Sequence, residues 1–216
     1  MWFRDRRQAG EELALRLRYL RGHRAVVLGL SAGGLVVARE IAEVLDAPLD
    51  VLLTRRIELF GPPTTILGAA GEGGVLVSNR AAVRKFGIRP DELSSLAGTA
   101  RADLARQLAC YRTALRPVPV AGHSVILVDD GVTTGATARA AIRVARARRV
   151  SKVVLAVPVG PARTLDGLTR EVDQFVCLRS LRWMQAVRNS YADFTTVTDT
   201  DAIALLGREP APPGGR

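Results

Sequence analysis

The chain has 216 residues, 48% hydrophobic but only 5% aromatic, which suits one domain with elaborations around a core of Val, Leu, Ile and Ala. No apolar run approaches the roughly 20 residues of a membrane span, no signal-peptide pattern follows Met1, and Cys110 and Cys177 sit in no metal-type cluster, so the cytosol is the expected compartment. The net charge of +10 comes almost wholly from arginines scattered through every predicted helix; even the dense run Arg139–Arg149 alternates with Ala and Val, so specific nucleic-acid binding is not expected.

Ala9, Leu13, Leu17 and Leu20 recur at helical spacing and predict an amphipathic helix over residues 5–21. Arg24–Leu30 reads as a short apolar strand. The turn Ser31-Ala32-Gly33-Gly34 follows, then a helix to Leu45 with Val37, Ile41, Ala42 and Leu45 on one face. Asp46-Ala47-Pro48 stops that helix, and Leu49–Leu53 is the next strand, which makes a parallel βαβ unit. Residues 55–80 change character: Arg55-Arg56, Gly61-Pro62-Pro63 and two short apolar pieces around Gly71, Gly73 and Gly74 predict a mobile loop with a hairpin, the expected lid. Leu96, Ala100, Leu104, Leu108, Tyr111 and Leu115 mark a long helix over 93–115. A second βαβ unit comprises strand 125–129, helix 135–148 and strand Lys152–Val157. A last strand, Gln174–Leu178, precedes a segment containing Trp183, Tyr191 and Phe194. The Pro/Gly-rich tail, 207–216, is expected to be disordered. The fold class is α/β with a mostly parallel central sheet.

The most informative stretch is Val125–Thr137. Four aliphatic residues end in Asp129-Asp130, and the turn Gly131-Val132-Thr133-Thr134-Gly135-Ala136-Thr137 opens a helix. Such a turn offers amides, hydroxyls and a positive helix end to one phosphate. The carboxylates beside it suit a sugar diol or a Mg²⁺ ion, and together these parts describe a site for a phosphorylated sugar. Ser31 to Gly34 form a second candidate anion site at the same sheet edge, with a plain tight turn at Gly33-Gly34 as the lesser alternative.

Gly29-Leu30-Ser31-Ala32-Gly33 also matches the nucleophile elbow of serine hydrolases. Against that reading, too little chain precedes the strand to complete such a fold. The one downstream histidine, His123, comes before a strand, at the wrong end of a parallel sheet. His23 has the same fault. The spelling G-L-S-A-G-G fails the dinucleotide fingerprint, and no P-loop motif occurs.

Taken together, residues 125–137 resemble the phosphoribosyl-pyrophosphate (PRPP) signature of the type I phosphoribosyltransferase family. A poorly characterised bacterial branch of that family is similar over about residues 3–206. The shared motifs include Phe3-x-Asp5-Arg6-x-x-Ala9-Gly10, Ala47-Pro48-Leu49-Asp50, Glu72-Gly73-Gly74, Val157-Pro158-Val159 and Tyr191-x-Asp193-Phe194. The resemblance implies a three-layer domain over 1–206, with a lid and hairpin at 55–80 and a small hood at 179–198. It implies transfer of phosphoribosyl from PRPP to a nitrogenous acceptor with release of pyrophosphate, Mg²⁺ as cofactor, and a homodimer. Asp129 and Asp130 would hold the ribose hydroxyls directly or through Mg²⁺, and the 5′-phosphate would lie in Val132–Thr137. Ser31, Ala32, Gly33 and Gly34 would form the pyrophosphate loop, with Arg55 and Arg56 as the basic pair at the lid. Asp193 would join Asp129 and Asp130 at the metal. Trp183, Arg188 and Tyr191 are the candidate contacts to a base.

The chain departs from that branch in three places. The usual Leu-Pro-Arg-Gly-Gly is Leu30-Ser31-Ala32-Gly33-Gly34, without the arginine that would face pyrophosphate. Glu58-Leu59-Phe60-Gly61-Pro62-Pro63 replaces a Gly-Ala-Pro turn, and Arg188 replaces a glycine. Two further readings follow: a sensor that binds a phosphoribosyl ligand without consuming it, and, remotely, a hydrolase acting through Ser31.

Overall fold

The computed structural model describes residues 1–61, 64–184 and 186–207. Its centre is a sheet of five parallel strands: β1 (Ala25–Gly29), β2 (Leu49–Val51), β6 (Ser124–Val128), β7 (Lys152–Pro161) and β8 (Gln174–Leu181), in the order β2-β1-β6-β7-β8. β1 is buried throughout and β6 nearly so, which explains why both read as unbroken aliphatic runs. Val27, Ile126, Val128, Val154 and Ala156 meet Leu13 and Leu17 of α1 (Arg6–Leu17) and Val37 and Ile41 of α2 (Ala32–Leu45). The alternate residues Val26, Leu28, Leu127, Leu155 and Val157 meet Ala138, Ala141 and Ile142 of α5 (Ala136–Ala147) and Leu165 and Leu168 of α6 (Ala162–Thr169). Strand residues thus alternate between two helical layers, which gives the three-layer α/β architecture.

Chain order reverses between β1 and β6. Gly29 lies opposite Val128, so the residues that leave these strands, Leu30-Ser31 and Asp129-Asp130, emerge side by side. The carboxyl edge at such a reversal is where open parallel sheets hold ligands.

The stretch expected as a mobile loop and hairpin is a separate antiparallel sheet of β3 (Thr54–Leu59), β4 (Thr65–Gly71) and β5 (Leu76–Ser78). Arg55 and Arg56 lie within β3, opposite Ala70 and Ala69. Their charges masked the strand because only Ile57 among its six residues is fully buried. Gly73 and Gly74 have φ of 70° and 81° in the β4–β5 turn. This sheet packs on α4 (Pro90–Ala114) through Ile57, Leu67, Ala97, Ala100 and Leu104. Three helices were not foreseen: α3 (Arg80–Lys85), α6 and α7 (Asp199–Leu206). β7 and β8 also run on to Pro161 and Leu181, beyond their expected ends. Gly207 caps α7, and the rest of the predicted tail lies outside the described residues, as do Pro62 and Pro63.

The chain's beginning and its C-terminal segment are stitched together. Trp2 and Phe3 amides donate to Ser190 O at 2.8 and 3.0 Å, Ala192 N donates to Phe3 O at 2.9 Å, and Asp193 N to Arg4 O at 2.7 Å. Phe3, Ala9, Val159 and Tyr191 form the small core beneath this seam. Three arginines of the dense run 139–149 are matched by acids: Arg139 with Glu171 at 2.7 Å, Arg146 with Asp173 at 2.9 Å, and Arg148 with Glu72. Among the described residues no helix is long and apolar enough to cross a membrane.

Candidate functional site

Ser31 leaves β1 in extended conformation and caps α2: its hydroxyl accepts from Gly34 N at 2.9 Å and donates to Asp129 Oδ1 at 2.8 Å. The expected turn 31–34 is therefore the cap and first residues of the helix itself. Neither Gly33 nor Gly34 has a positive φ, so turn geometry is not what requires glycine there. Close approach is. A Cβ on Gly34 would lie 2.8 Å from Val128 O and 3.0 Å from Asp129 Oδ1. One on Gly33 would lie 2.4 Å from Asp130 Oδ2 and 2.7 Å from Arg6 Nε.

Asp129 is 7% exposed. Burial and the neighbouring Asp130 charge push its carboxyl up to about 7, against the downward pull of the Ser31 hydroxyl and Arg56. Asp130 is raised in the same direction by burial, and Arg6 opposes the shift. Arg6 Nε donates to Asp130 Oδ2 at 2.8 Å, its Nη1 donates to Thr195 O at 2.8 Å, and its guanidinium lies 3.6 Å from the centre of the Phe194 ring. Sequence reasoning gave Arg6 no role, although the Asp5-Arg6 motif had carried part of the family resemblance.

The turn 131–137 is anchored from behind. Val132 is buried and donates its amide to Val159 O at 3.0 Å, so that amide is committed to the fold. Thr164 Oγ1 donates to Thr133 O at 2.8 Å and Arg139 Nη1 to Thr134 O at 3.0 Å, while Gly135, at φ 76°, introduces α5. The result is a small concavity bounded by Gly131–Ala138, with Asp129 and Arg56 at its rim.

That concavity adjoins a cleft of about 780 Å³. Ser31, Arg55, Arg56, Asp129, Asp130, Thr133, Thr137 and Arg188, all expected at the site, line it. So do Arg6, Phe60, Phe194 and the α4 face of Leu96, Thr99, Ala100 and Asp103, none of which sequence reasoning had selected. Arg55 and Arg56 are only loosely tied, each 4.0 Å from a carboxylate, Asp103 and Glu58 respectively.

Of the expected loop 31–34 only Ser31 lines the cleft, not Ala32, Gly33 or Gly34, and three further expected site residues stand apart. Tyr191 is buried between Phe3 and Phe194, with ring centres 5.4 and 5.2 Å away, and its hydroxyl donates to the Asp130 carbonyl at 2.6 Å. It props the acidic pair and is not free to stack on a base. Trp183 is 75% exposed and does not line the cleft. Asp193 is exposed, and its Oδ1 accepts from Thr195 N at 2.9 Å and from the Thr195 hydroxyl, which hold its carboxyl low. Among the described residues, no three His, Cys, Asp or Glu side chains gather to hold a metal, so Asp193 does not join the pair. Neither histidine lines the cleft, so Ser31 has no imidazole base there, and its hydroxyl proton points to Asp129.

No family model matches the chain. Two curated proteins from Mycobacterium tuberculosis strains, CDC 1551 / Oshkosh and H37Rv, are each named "Putative phosphoribosyl transferase". Each is 40% identical over 206 residues, covering 95% of this chain and 46% of the relative. The chain thus spans about half the length of the curated relatives it matches. The crystal structure of TT1426 from Thermus thermophilus is 40% identical, with a TM-score of 0.78 over 95% of this chain and 98% of that one.

Proposed function

The chain belongs to the type I phosphoribosyltransferase family, and from that premise we propose that it transfers the phosphoribosyl group of PRPP to a nitrogenous acceptor with release of pyrophosphate. One observation carries the proposal: at the single reversal of strand order, the acidic pair, residues of the turn 131–137 and Ser31, the cap of α2, line adjoining concavities with Arg55 and Arg56. Residues 1–206 are then the transferase unit, with β3, β4 and α4 as one wall of the cleft and the segment 179–198 as its hood.

The chain's residues divide the work by charge. The turn 133–137 and the positive end of α5 receive the 5′-phosphate. Asp129 and Asp130 accept from the ribose hydroxyls. The amide end of α2 with Arg55 and Arg56 faces the pyrophosphate as negative charge builds on it. The C1–O bond to pyrophosphate breaks and a C1–N bond to the acceptor forms. Ile66, Leu96 and Val187 give the cleft an apolar wall beside the acidic pair.

The donor set fits a Mg²⁺ ion that arrives with its substrate. Among the described residues, Asp129 Oδ2 and Asp130 Oδ1 accept no protein hydrogen bond, while their partner oxygens are occupied. Two carboxylate oxygens and no third ligand match the habit of Mg²⁺ to take one or two carboxylates and fill the rest from phosphate and water. When bound there, the ion supplies positive charge to the leaving group.

Titration calorimetry with PRPP and Mg²⁺ tests the proposal. The wild type binds, Asp130→Asn and Thr134→Ala weaken binding, and a panel of bases and amines reveals pyrophosphate release. No binding by the wild type overturns the proposal. A second reading, a sensor of phosphoribosyl ligands, draws on Ala32, which leaves the loop without its cation; binding without release across the panel favours it.

A further inference from the structure

We infer that Arg6 is a positioning residue of this site: it is the standing counter-cation of Asp130 and fixes that carboxylate before any ligand or metal arrives. The inference rests on reading the cleft as a phosphoribosyl-ligand site.

Arg6 is the first residue of α1, whose start is set by Asp5, an N-cap accepting from Gln8 N at 2.8 Å. From there the side chain crosses to the carboxyl edge of the sheet and is held at three points: Asp130 Oδ2, Thr195 O and the Phe194 face. It is 11% exposed and Asp130 14%. A guanidinium suits this place because its planar fork can serve two oxygens while its face lies on a ring, which an ammonium cannot do. Gly33 keeps room for the pair, since any Cβ there would strike both members. Tyr191 fixes the other end of the same residue through the Asp130 carbonyl. Asp130 is thus gripped at carboxylate and backbone by an assembly of the chain's first residues and its C-terminal segment.

The consequence is chemical. Two adjacent carboxylates in a buried setting repel one another, and a divalent cation would ordinarily relieve them. Here Arg6 already balances one of the two charges and occupies Oδ2. Oδ1 is left for the sugar or for a cation carried in by the polyphosphate. Free divalent cations should therefore be drawn only weakly to the pair, and removal of Arg6 should turn it into a better cation site while loosening the carboxylate that meets the sugar.

The experiment uses Mn²⁺ alone as probe, by electron paramagnetic resonance, and PRPP with Mg²⁺ by calorimetry, on the full chain. Arg6→Gln is expected to bind Mn²⁺ at least about ten-fold more tightly than wild type and PRPP at least about ten-fold more weakly. Adding Asp130→Asn abolishes the gain in Mn²⁺ affinity. Arg6→Lys keeps the charge but not the fork, so its Mn²⁺ affinity stays at the wild-type value while PRPP binding weakens. Should Arg6→Gln fail to fold, Arg6→Lys carries the test, and wild-type PRPP affinity in it overturns the inference. Unchanged Mn²⁺ affinity in a folded Arg6→Gln overturns it as well. A wild type that binds no PRPP defeats the ligand reading alone, because the Mn²⁺ comparison still judges Arg6 and Asp130.

Discussion

Ser31→Ala removes one hydroxyl and two bonds. The hydroxyl caps α2 by accepting from Gly34 N and orients Asp129 by donating to Oδ1. Loss of a serine cap costs about 1 kcal/mol, and at a pH well above the Asp129 value, where its carboxylate is charged, loss of the hydrogen bond to it costs about 1.5–3 kcal/mol. The two share one oxygen, so their costs do not add fully, and about 2–3 kcal/mol is the expected destabilisation. For a domain of this size each kcal/mol moves the melting temperature by roughly 2–4 °C, which gives a fall of roughly 4–12 °C by calorimetry. Ser31→Thr keeps the hydroxyl and should lose less than half as much. The reasoning fails if Ser31→Ala melts within about 1 °C of wild type, or if Ser31→Thr falls as far.

Glu72 is buried at the join of the two sheets, where Oε1 accepts from Leu53 N at 2.7 Å and Oε2 pairs with Arg148. Glu72→Ala should cost about 3 kcal/mol in urea unfolding, since an amide and a guanidinium both lose their acceptor, and Glu72→Gln clearly less. Asp173 is held below the usual carboxylate range, first by the Val153 amide at 2.6 Å and then by Arg146. A depressed acid contributes stability above its unfolded value of 3.8, lost as pH falls through the folded value. The melting gap between wild type and Asp173→Ala should therefore be full at pH 6 and shrink below pH 3.8; a gap that widens there refutes the linkage.

What could be read from the sequence was what a single burial pattern dictates. β1 and β6 are covered on both faces and so appear as aliphatic runs, and the acids at the end of β6 stand out against that run. β3 was hidden because the two arginines turn toward the cleft and leave Ile57 as its one fully buried residue. α6 buries only Leu165 and Leu168, and α7 only Ala202, too few for a period to show. Arg6 escaped notice for a different reason. It is one arginine among many, and its partner lies 124 residues away, a pairing that only the closed seam between the two ends of the chain creates. The discounted net charge has a structural counterpart: Arg139, Arg146 and Arg148 of the dense run are matched by acids from the β7–β8 connection and the second sheet.

The altered loop and the acidic pair are mechanically one unit. Ser31 holds Asp129, Gly33 admits the Arg6–Asp130 pair, and Gly34 lets the Asp129 backbone approach. A proline at position 31, as in the related branch, has neither a hydroxyl to donate nor a side-chain acceptor for Gly34 N, so it could provide neither of these bonds. Exchange of Pro-Arg for Ser31-Ala32 therefore does more than delete a cation at the proposed pyrophosphate end. It adds a cap to α2 and a donor to Asp129, which stiffens the sugar end. Rigid presentation of the acidic pair raises ligand affinity by reducing what must be ordered on binding, whereas the missing arginine lowers stabilisation of the leaving group. Under the proposed function the two effects act on different quantities: the first on the dissociation constant of PRPP, the second on the rate of pyrophosphate release. Alanine at 31 should therefore weaken binding, and arginine at 32 should change turnover with little change in binding, a separation that binding data alone would not reveal.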